Sequence, residues 1–526
     1  MALTKAHNRM ITGSPANIFD FGAVGDGVTD DKAAIQLAID SGSKHVIVPK
    51  GYVFIISDEL LLPSDFTFEV NGDLTLAPNT ADDTTMIRNS DQVNYQNNIH
   101  ITGTGRILGN KANQQGRPTQ IRHTCIFLKK VSGCTVSTAE IGGNKWDNLY
   151  TTPTPSGIAA CVQINDCNVC KVHDVLLYQW EKEGINIDPA GGRCYSNMVN
   201  DCICEGSGAF SYSGIQMGGL GGTSYNNIID NCIVRDCGAS AIGMDGTHSN
   251  VTNCSVFRNG YGHGINLGHS GAVADYCVVA NCTLYDIGNF TTSGDSAGIN
   301  IGNGSKNVTI SNCNMDTVNN SGINISTGVS SLISNCRIDN AGQHGFKLNI
   351  ATGVKIENCV VKNQGLSILS ETGAPNNDLW YTINETEFKR YGAIDAEGSW
   401  TPVLVGSSTS GTHTYTTQVG FYERNGRLVN FRGRLTLSTK GTIAGNLTIT
   451  GLPFTSSSIA SSYGDFEANA ARNLAITAGQ SIDGTIQLNS DIINLEIWDA
   501  TTGTSLMTAA QITANSQIFF SGSYMV

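Results

Sequence analysis

Gly184-Ile185-Asn186-Ile187, Gly214-Ile215-Gln216-Met217, Ala241-Ile242-Gly243-Met244, Gly264-Ile265-Asn266-Leu267, Gly298-Ile299-Asn300-Ile301, Gly322-Ile323-Asn324-Ile325 and Gly345-Phe346-Lys347-Leu348 are one phrase written again and again. A second phrase runs between the copies: Asn231-Cys232, Asn253-Cys254, Asn281-Cys282, Asn312-Cys313, Asn335-Cys336 and Asn358-Cys359. Successive cysteines are 22, 28, 31, 23 and 23 residues apart. A period in the low twenties, lengthened here and there by an insertion, marks a stacked repeat whose units bury their apolar faces only against each other. Apolar and polar residues alternate, which is strand periodicity. Three short strands and three turns fill such a unit, so each copy is one coil of a parallel β-helix. The Ile, Met and Leu positions point inward. Asn-Cys marks a corner, because Asn tolerates left-handed backbone angles and Cys packs as a small buried hydrophobe.

Composition agrees. Of 526 residues only 14% are charged and 60 are glycine, as suits a turn-dense β protein of two or three domains. Lys and Arg number 31 against 44 Asp and Glu, a net charge of −13 that disfavours nucleic acid. No apolar run reaches the length of a membrane span, and Met1 to Gly13 lacks the apolar core of a signal peptide. All 16 cysteines fall between Cys125 and Cys359. Their recurrence at the coil period predicts reduced, stacked core residues formed in a reducing cytoplasm. Cys167-x-x-Cys170 has metal-like spacing but no matching second pair, so no metal or cofactor is expected.

Residues 1–16 read as a linker or a truncated attachment stub. Phe19-Asp20-Phe21-Gly22-Ala23-Val24-Gly25-Asp26-Gly27-Val28-Thr29-Asp30-Asp31 then leads into a helix, with Thr29 as N-cap, Ile35, Ala38 and Ile39 as its apolar stripe and Gly42 as its stop. Such a helix would cover the open first coil. Residues 17–398 are assigned to the β-helix, with polar insertions at 109–124 and from Asn144 to Ser156. Residues 399–526 are all-β by pattern, with alternating Val429, Phe431, Leu435 and Leu437 and a hairpin turn at Asn425-Gly426. They are expected to form a β-sandwich or jelly roll.

Phe-Gly-Ala-x-Gly-Asp-Gly-x-x-Asp-Asp, a short helix and Val46-Ile47-Val48-Pro49-x-Gly51-Tyr52 together resemble the start of the pectate-lyase-like superfamily, and in particular the tailspikes of bacteriophages. Gly398-Ser399-Trp400-Thr401-Pro402 with Gly420-Phe421-Tyr422-x-x-x-Gly426 resembles the C-terminal module of many tailspikes, which implies trimerisation or glycan contact. The resemblance implies a right-handed parallel β-helix in a homotrimer on the virion. It would be joined to baseplate or tail proteins through its N-terminus and would act on bacterial capsule or O-antigen.

Stacking the phrases makes columns. The third place runs Asn186, Gln216, Gly243, Asn266, Asn300, Asn324, Lys347, and the fifth Asp188, Gly218, Asp245, Gly268, Gly302, Ser326, Asn349. Amides beside glycines would make a polar groove for an extended polysaccharide. Asp188 and Asp245 share a column two coils apart, about 9.6 Å at roughly 4.8 Å per coil. That spacing suits the acid and base of an inverting glycosidase. Glu183 and Glu181 are the next candidates, and Trp180 beside them is a candidate sugar platform. His248, His263 and His269 would lie near the same face. Gly262-His263-Gly264 resembles the Gly-His-Gly element of polygalacturonases, but Ala239 and Ser240 stand where that family's paired aspartates belong, and Asn300, Ile301 and Gly302 replace its Arg-Ile-Lys. Carboxylates outnumber bases on the face, which favours hydrolysis over β-elimination. A lyase and a non-catalytic glycan-binding spike or adhesin are the alternatives.

Overall fold

The computed structural model describes residues 13–80, 84–114, 123–143, 160–180, 182–206, 213–219, 222–268, 272–288, 296–328, 330–372, 377–383, 387–391, 396–425, 427–458 and 464–526. Two compact units divide between Arg390 and Tyr391. In the first, every turn of the chain lays down three short strands. Lys171–His173, Leu176–Tyr178 and Glu183–Asp188 form one coil. Each pairs in parallel with its counterpart one coil on, at Met198–Asn200, Ile203–Glu205 and Ile215–Met217. Repetition gives three parallel sheets around one core. The third sheet holds twelve strands, from Leu60–Leu62 to Ser367–Thr372.

The recurring phrase is the third sheet. Ile185, Ile215, Ile242, Ile265, Ile299, Ile323 and Phe346 stack in exact register. All are shut off from solvent, and each contributes about 1.5–3 kcal/mol of burial. The corner between the first two sheets is the Asn-Cys step. Asp201, Asn231, Asn253, Asn281, Asn312, Asn335 and Asn358 all adopt left-handed φ, between 50° and 56°. The cysteine that follows each turns inward, and its thiol donates to the carbonyl two residues back, as Cys254 does to Thr252 (3.1 Å) and Cys282 to Ala280 (3.3 Å). Fourteen cysteines are buried and free, as expected. Cys134 and Cys170 depart from the expectation. They share another corner with Cα atoms 4.4 Å apart, and their sulfurs are bonded to each other.

The N-terminal helix spans Lys32–Ile39 and buries Ile35, Ala38 and Ile39. It begins later than expected: Asp26–Asp30 is a strand, so Thr29 is not the N-cap. Asp31 takes that place, but its carboxylate accepts from the N–H groups of Val24 (2.6 Å) and Gly25 (3.0 Å) and so shapes the glycine-rich turn before the helix. The helix covers the first strand of the third sheet through Gln36. Its Nε2 donates to the Leu61 carbonyl (3.2 Å) and its Oε1 accepts from the Leu61 N–H (2.9 Å), so one side chain stands in for a missing neighbour strand.

The C-terminal unit is an antiparallel sheet of ten strands. Its end strands, Ala396–Trp400 and Val403–Gly406, are separated by two residues in the chain but lie at opposite ends of the strand order. The sheet therefore curls around its own core of Val429, Phe431, Leu447, Leu495 and Phe520. The expected layers are one continuous curved sheet. Asn425 pairs with Leu428 at the predicted hairpin; Gly426 lies outside the described residues, as do 115–122 and all of Asn144 to Ser156. Among the described residues no helix is long and apolar enough to cross a membrane.

Candidate functional site

The third sheet carries the predicted columns in the predicted order, Asn186 against Gln216, Gly243, Asn266, Asn300, Asn324 and Lys347. Much of the amide column is not open to a ligand. Asn186, Asn266, Asn300 and Asn324 are buried. Asn324 Nδ2 donates to Asn300 Oδ1 (2.7 Å), and Asn300 Nδ2 donates to Asn266 Oδ1 (2.8 Å). Identical amides one coil apart satisfy one another, so this part of the column ties the coils together.

The fifth place separates the two aspartates. Asp188 and Asp245 do stand in one column, since Gly218 N–H donates to the Ile187 carbonyl and Asp245 N–H to the Met217 carbonyl, both at 2.8 Å. Asp245, however, is only 2% exposed. Gln216 lies across Gly243, where a Cβ would meet its Oε1 at 1.9 Å, and its Nε2 donates to Asp245 Oδ2 (3.2 Å). The glycine that was expected to admit a sugar admits a glutamine side chain instead.

Asp188 remains partly exposed, with glycines at 218 and 219 beside it. Its Oδ1 accepts from the Ala190 N–H at 2.6 Å. Burial nevertheless pushes its pKa up, the Ala190 bond opposing this. Glu183, at the start of the same strand, is also raised. Burial is the main cause and the Asp188 charge adds to it, while Lys182 and the Asn186 amide oppose. Asn186 Nδ2 donates to Glu183 Oε2 at 2.6 Å. Glu183 and Asp188 lie at the two ends of one strand, near enough for the Asp188 charge to act on Glu183. Asn186 Oδ1 is buried and lacks a partner.

Trp180 is fully buried in the core, so it presents no face to a sugar; its Nε1 has no partner there. Glu181 and His269 lie outside the described residues. His263 is half-buried and its Nδ1 accepts from the Ala297 N–H (3.0 Å), a bond that braces one coil against the next. His248 is exposed and stacks on Tyr276, with ring centroids 5.0 Å apart. The sequence reading passed over Asp166. It follows Asn165, which pairs with Asp188, and it accepts from Tyr95 Oη (2.7 Å) and the Arg193 N–H (2.8 Å). Gly192 makes this fit, since a Cβ there would meet Asp166 Oδ1 at 2.0 Å. Its signal was faint because the coil at 160–166 lacks the Gly-Ile phrase.

Residues 16–266 match the family of rhamnogalacturonase A/epimerase, pectate lyase-like proteins. Residues 274–384 match the right-handed β-helix region family. Among solved structures, the chain is similar to the Dettilon tailspike protein, at 18% identity and a TM-score of 0.61 over 97% of this chain and 94% of that one. It is also similar to a tailspike variant of E. coli bacteriophage HK620, at 10% identity and a TM-score of 0.51 over 99% and 97%. A further HK620 variant, in complex with a pentasaccharide, matches at 12% identity and a TM-score of 0.50 over the same shares. Among curated proteins no sequence match is found.

Proposed function

Starting from a right-handed parallel β-helix of the pectate-lyase-like kind, the fold it shares with solved phage tailspikes, we propose that the protein is a bacteriophage tailspike. It binds a bacterial surface polysaccharide, capsule or O-antigen, and cleaves it by endo-glycoside hydrolysis. The observation that supports cleavage is the Glu183–Asp188 pair, two half-buried carboxyl groups at the ends of one strand, both raised by burial and the first also by the charge of the second. Glu183, the more enclosed, holds its proton and gives it to the leaving oxygen. Asp188, open beside Gly218 and Gly219, takes a proton from the attacking water. Asp245 braces this wall through Gln216 and does not meet the sugar. The spike works as a homotrimer at the host surface, mounted on the tail through its N-terminus.

The test uses purified capsular and O-antigen polysaccharides from a panel of strains. Endo-hydrolysis shortens one of them and frees new reducing ends, with no unsaturated uronate at the new non-reducing ends. Unsaturated ends would make the protein a lyase. A polysaccharide that is bound and never shortened would make it a glycan-binding spike.

A further inference from the structure

One opening on the first unit's described surface lies away from the third sheet. A cavity of about 780 Å³ lies on the outer face of the second sheet, lined by Lys111, Glu140, Leu176, Tyr178, Gln179 and Glu205, among others. We propose that it is a second carbohydrate site, for a neutral, hydroxyl-rich oligosaccharide lying along the stack. This rests on the glycan-binding reading above.

Three features make the site. Tyr178 pairs with Gly142 one coil earlier, and a Cβ on that glycine would meet the ring at Cδ1 (2.8 Å) and Cε1 (2.9 Å). The ring therefore lies down over a glycine, with its other face to the cavity, as a platform for the C–H face of a sugar. An apolar strip runs beside it. Leu176, Ile203 and Ile233 are in register on successive coils, and Ile203 and Ile233 are 38% and 37% exposed. A row of apolar side chains left open on a parallel sheet calls for a partner. Carboxylates stand on either side. Glu140 pairs with Leu176, and Glu205 pairs with Tyr178. The two are thus two coils apart along the axis, about 9.6 Å, and offset by two residues across it, about 6.6 Å.

Glu205 is held by an arginine, whereas the arginine near Glu140 is forked onto Asp73. Arg235 Nη2 is 2.7 Å from Glu205 Oε2, and Arg106 Nη1 is 4.0 Å from Glu140 Oε2. The carboxylates keep lone pairs for hydroxyl donors and, with one arginine shared with Asp73, leave this carboxylate–arginine cluster net acidic against a uronate. Burial raises the Tyr178 hydroxyl, with the Glu140 charge adding to it, so that hydroxyl remains a donor at neutral pH. Acceptors at both ends and a donor in the middle suit neutral hexoses better than uronates.

The experiment titrates the full-length protein with size-fractionated fragments of neutral and of uronate-containing polysaccharides from the same panel, read by calorimetry and by saturation-transfer NMR. Neutral fragments are expected to occupy two sites per chain. Tyr178→Ala should weaken one of them about three- to tenfold, and Glu205→Gln should weaken the same one. Tyr178→Phe, which keeps the platform, should bind nearly as the parent does, and Asp188→Asn should leave this site intact. Two-site binding unchanged in both Tyr178→Ala and Glu205→Gln would overturn the second site while leaving the first. Tyr178→Ala altering the oligomeric state and not the titration would also overturn it, making the strip a contact between copies of the chain. No binding of any polysaccharide by the parent would bring down the glycan reading itself.

Discussion

Exchange of single oxygens for amides separates the three carboxylates of the third sheet. Glu183→Gln removes the only proton that group can give, and Asp188→Asn removes a base, while both keep the side chain's shape. A positioned acid or base is worth about 10²–10⁴-fold in rate, so each variant should retain between a hundredth and a ten-thousandth of the parent's turnover, with the polysaccharide still bound. Asp245→Asn should behave in the opposite way. Its carboxylate is 2% exposed and takes a hydrogen bond from Gln216. The amide oxygen can still accept from Gln216 but without the charge, a loss of about 1 kcal/mol, seen in the melt and scarcely in turnover. The assay is size-exclusion chromatography of the digested polysaccharide, with initial rates from reducing ends and thermal melts alongside. Loss of turnover in Asp245→Asn, with Glu183→Gln and Asp188→Asn unimpaired, would refute the assignment and return the chemistry to the buried aspartate.

Three further outcomes follow from other contacts. Glu183 is raised, so the folded protein holds that proton more tightly than the unfolded chain; its contribution is complete below about pH 4 and is lost as pH rises towards the raised value. The melting temperature of Glu183→Gln relative to the parent should accordingly climb from about pH 4 towards neutrality, and a flat difference would contradict the shift. All 14 free cysteines are buried, and burial pushes the Cys167 thiol up to about 12, so a thiol reagent should label almost nothing in the native protein and all 14 after denaturation. Asn281 sits at φ 56° in the Asn-Cys corner. Asn281→Val should cost about 1–2 kcal/mol and Asn281→Gly much less, as measured by denaturant unfolding.

The coil was legible because it depends on a period, and a period survives in a single sequence. Ile185, Ile215 and Ile242 had to stack if the chain coiled at all, and the left-handed asparagines before each buried cysteine had to mark a corner. The helix start was misplaced by two residues because Thr29 followed by Asp30 and Asp31 reads as a cap and an acidic first turn, whereas Asp26–Asp30 is a strand. Only the fold of Val24 and Gly25 back onto Asp31 shows that its carboxylate is already occupied. The site was less legible for a related reason. A column tells which residues are neighbours but not which way a side chain leans within it. Gly243 reads equally well as room for a sugar or room for Gln216, and which it is depends on side-chain rotamers one coil away.

That ambiguity separates the two faces. On the third sheet the glycine at 243 is filled from within by a glutamine, which closes the column around Asp245 and leaves Asp188, flanked by 218 and 219, as its accessible carboxylate. On the second sheet the glycine at 142 is filled by the Tyr178 ring, which lies flat and opens a cavity above itself. An amide laid into a glycine gap can satisfy a buried acid, whereas a ring laid into one exposes a new apolar surface. The same device in one repeat therefore gives a braced wall beside the proposed chemistry and a platform on the neighbouring face. A long polysaccharide held on that platform would stay with the spike between cuts, so Tyr178→Ala should leave the rate on short fragments unchanged while lowering it on the intact polymer. Equal loss on both lengths would place Tyr178 in the cleavage site and not beside it.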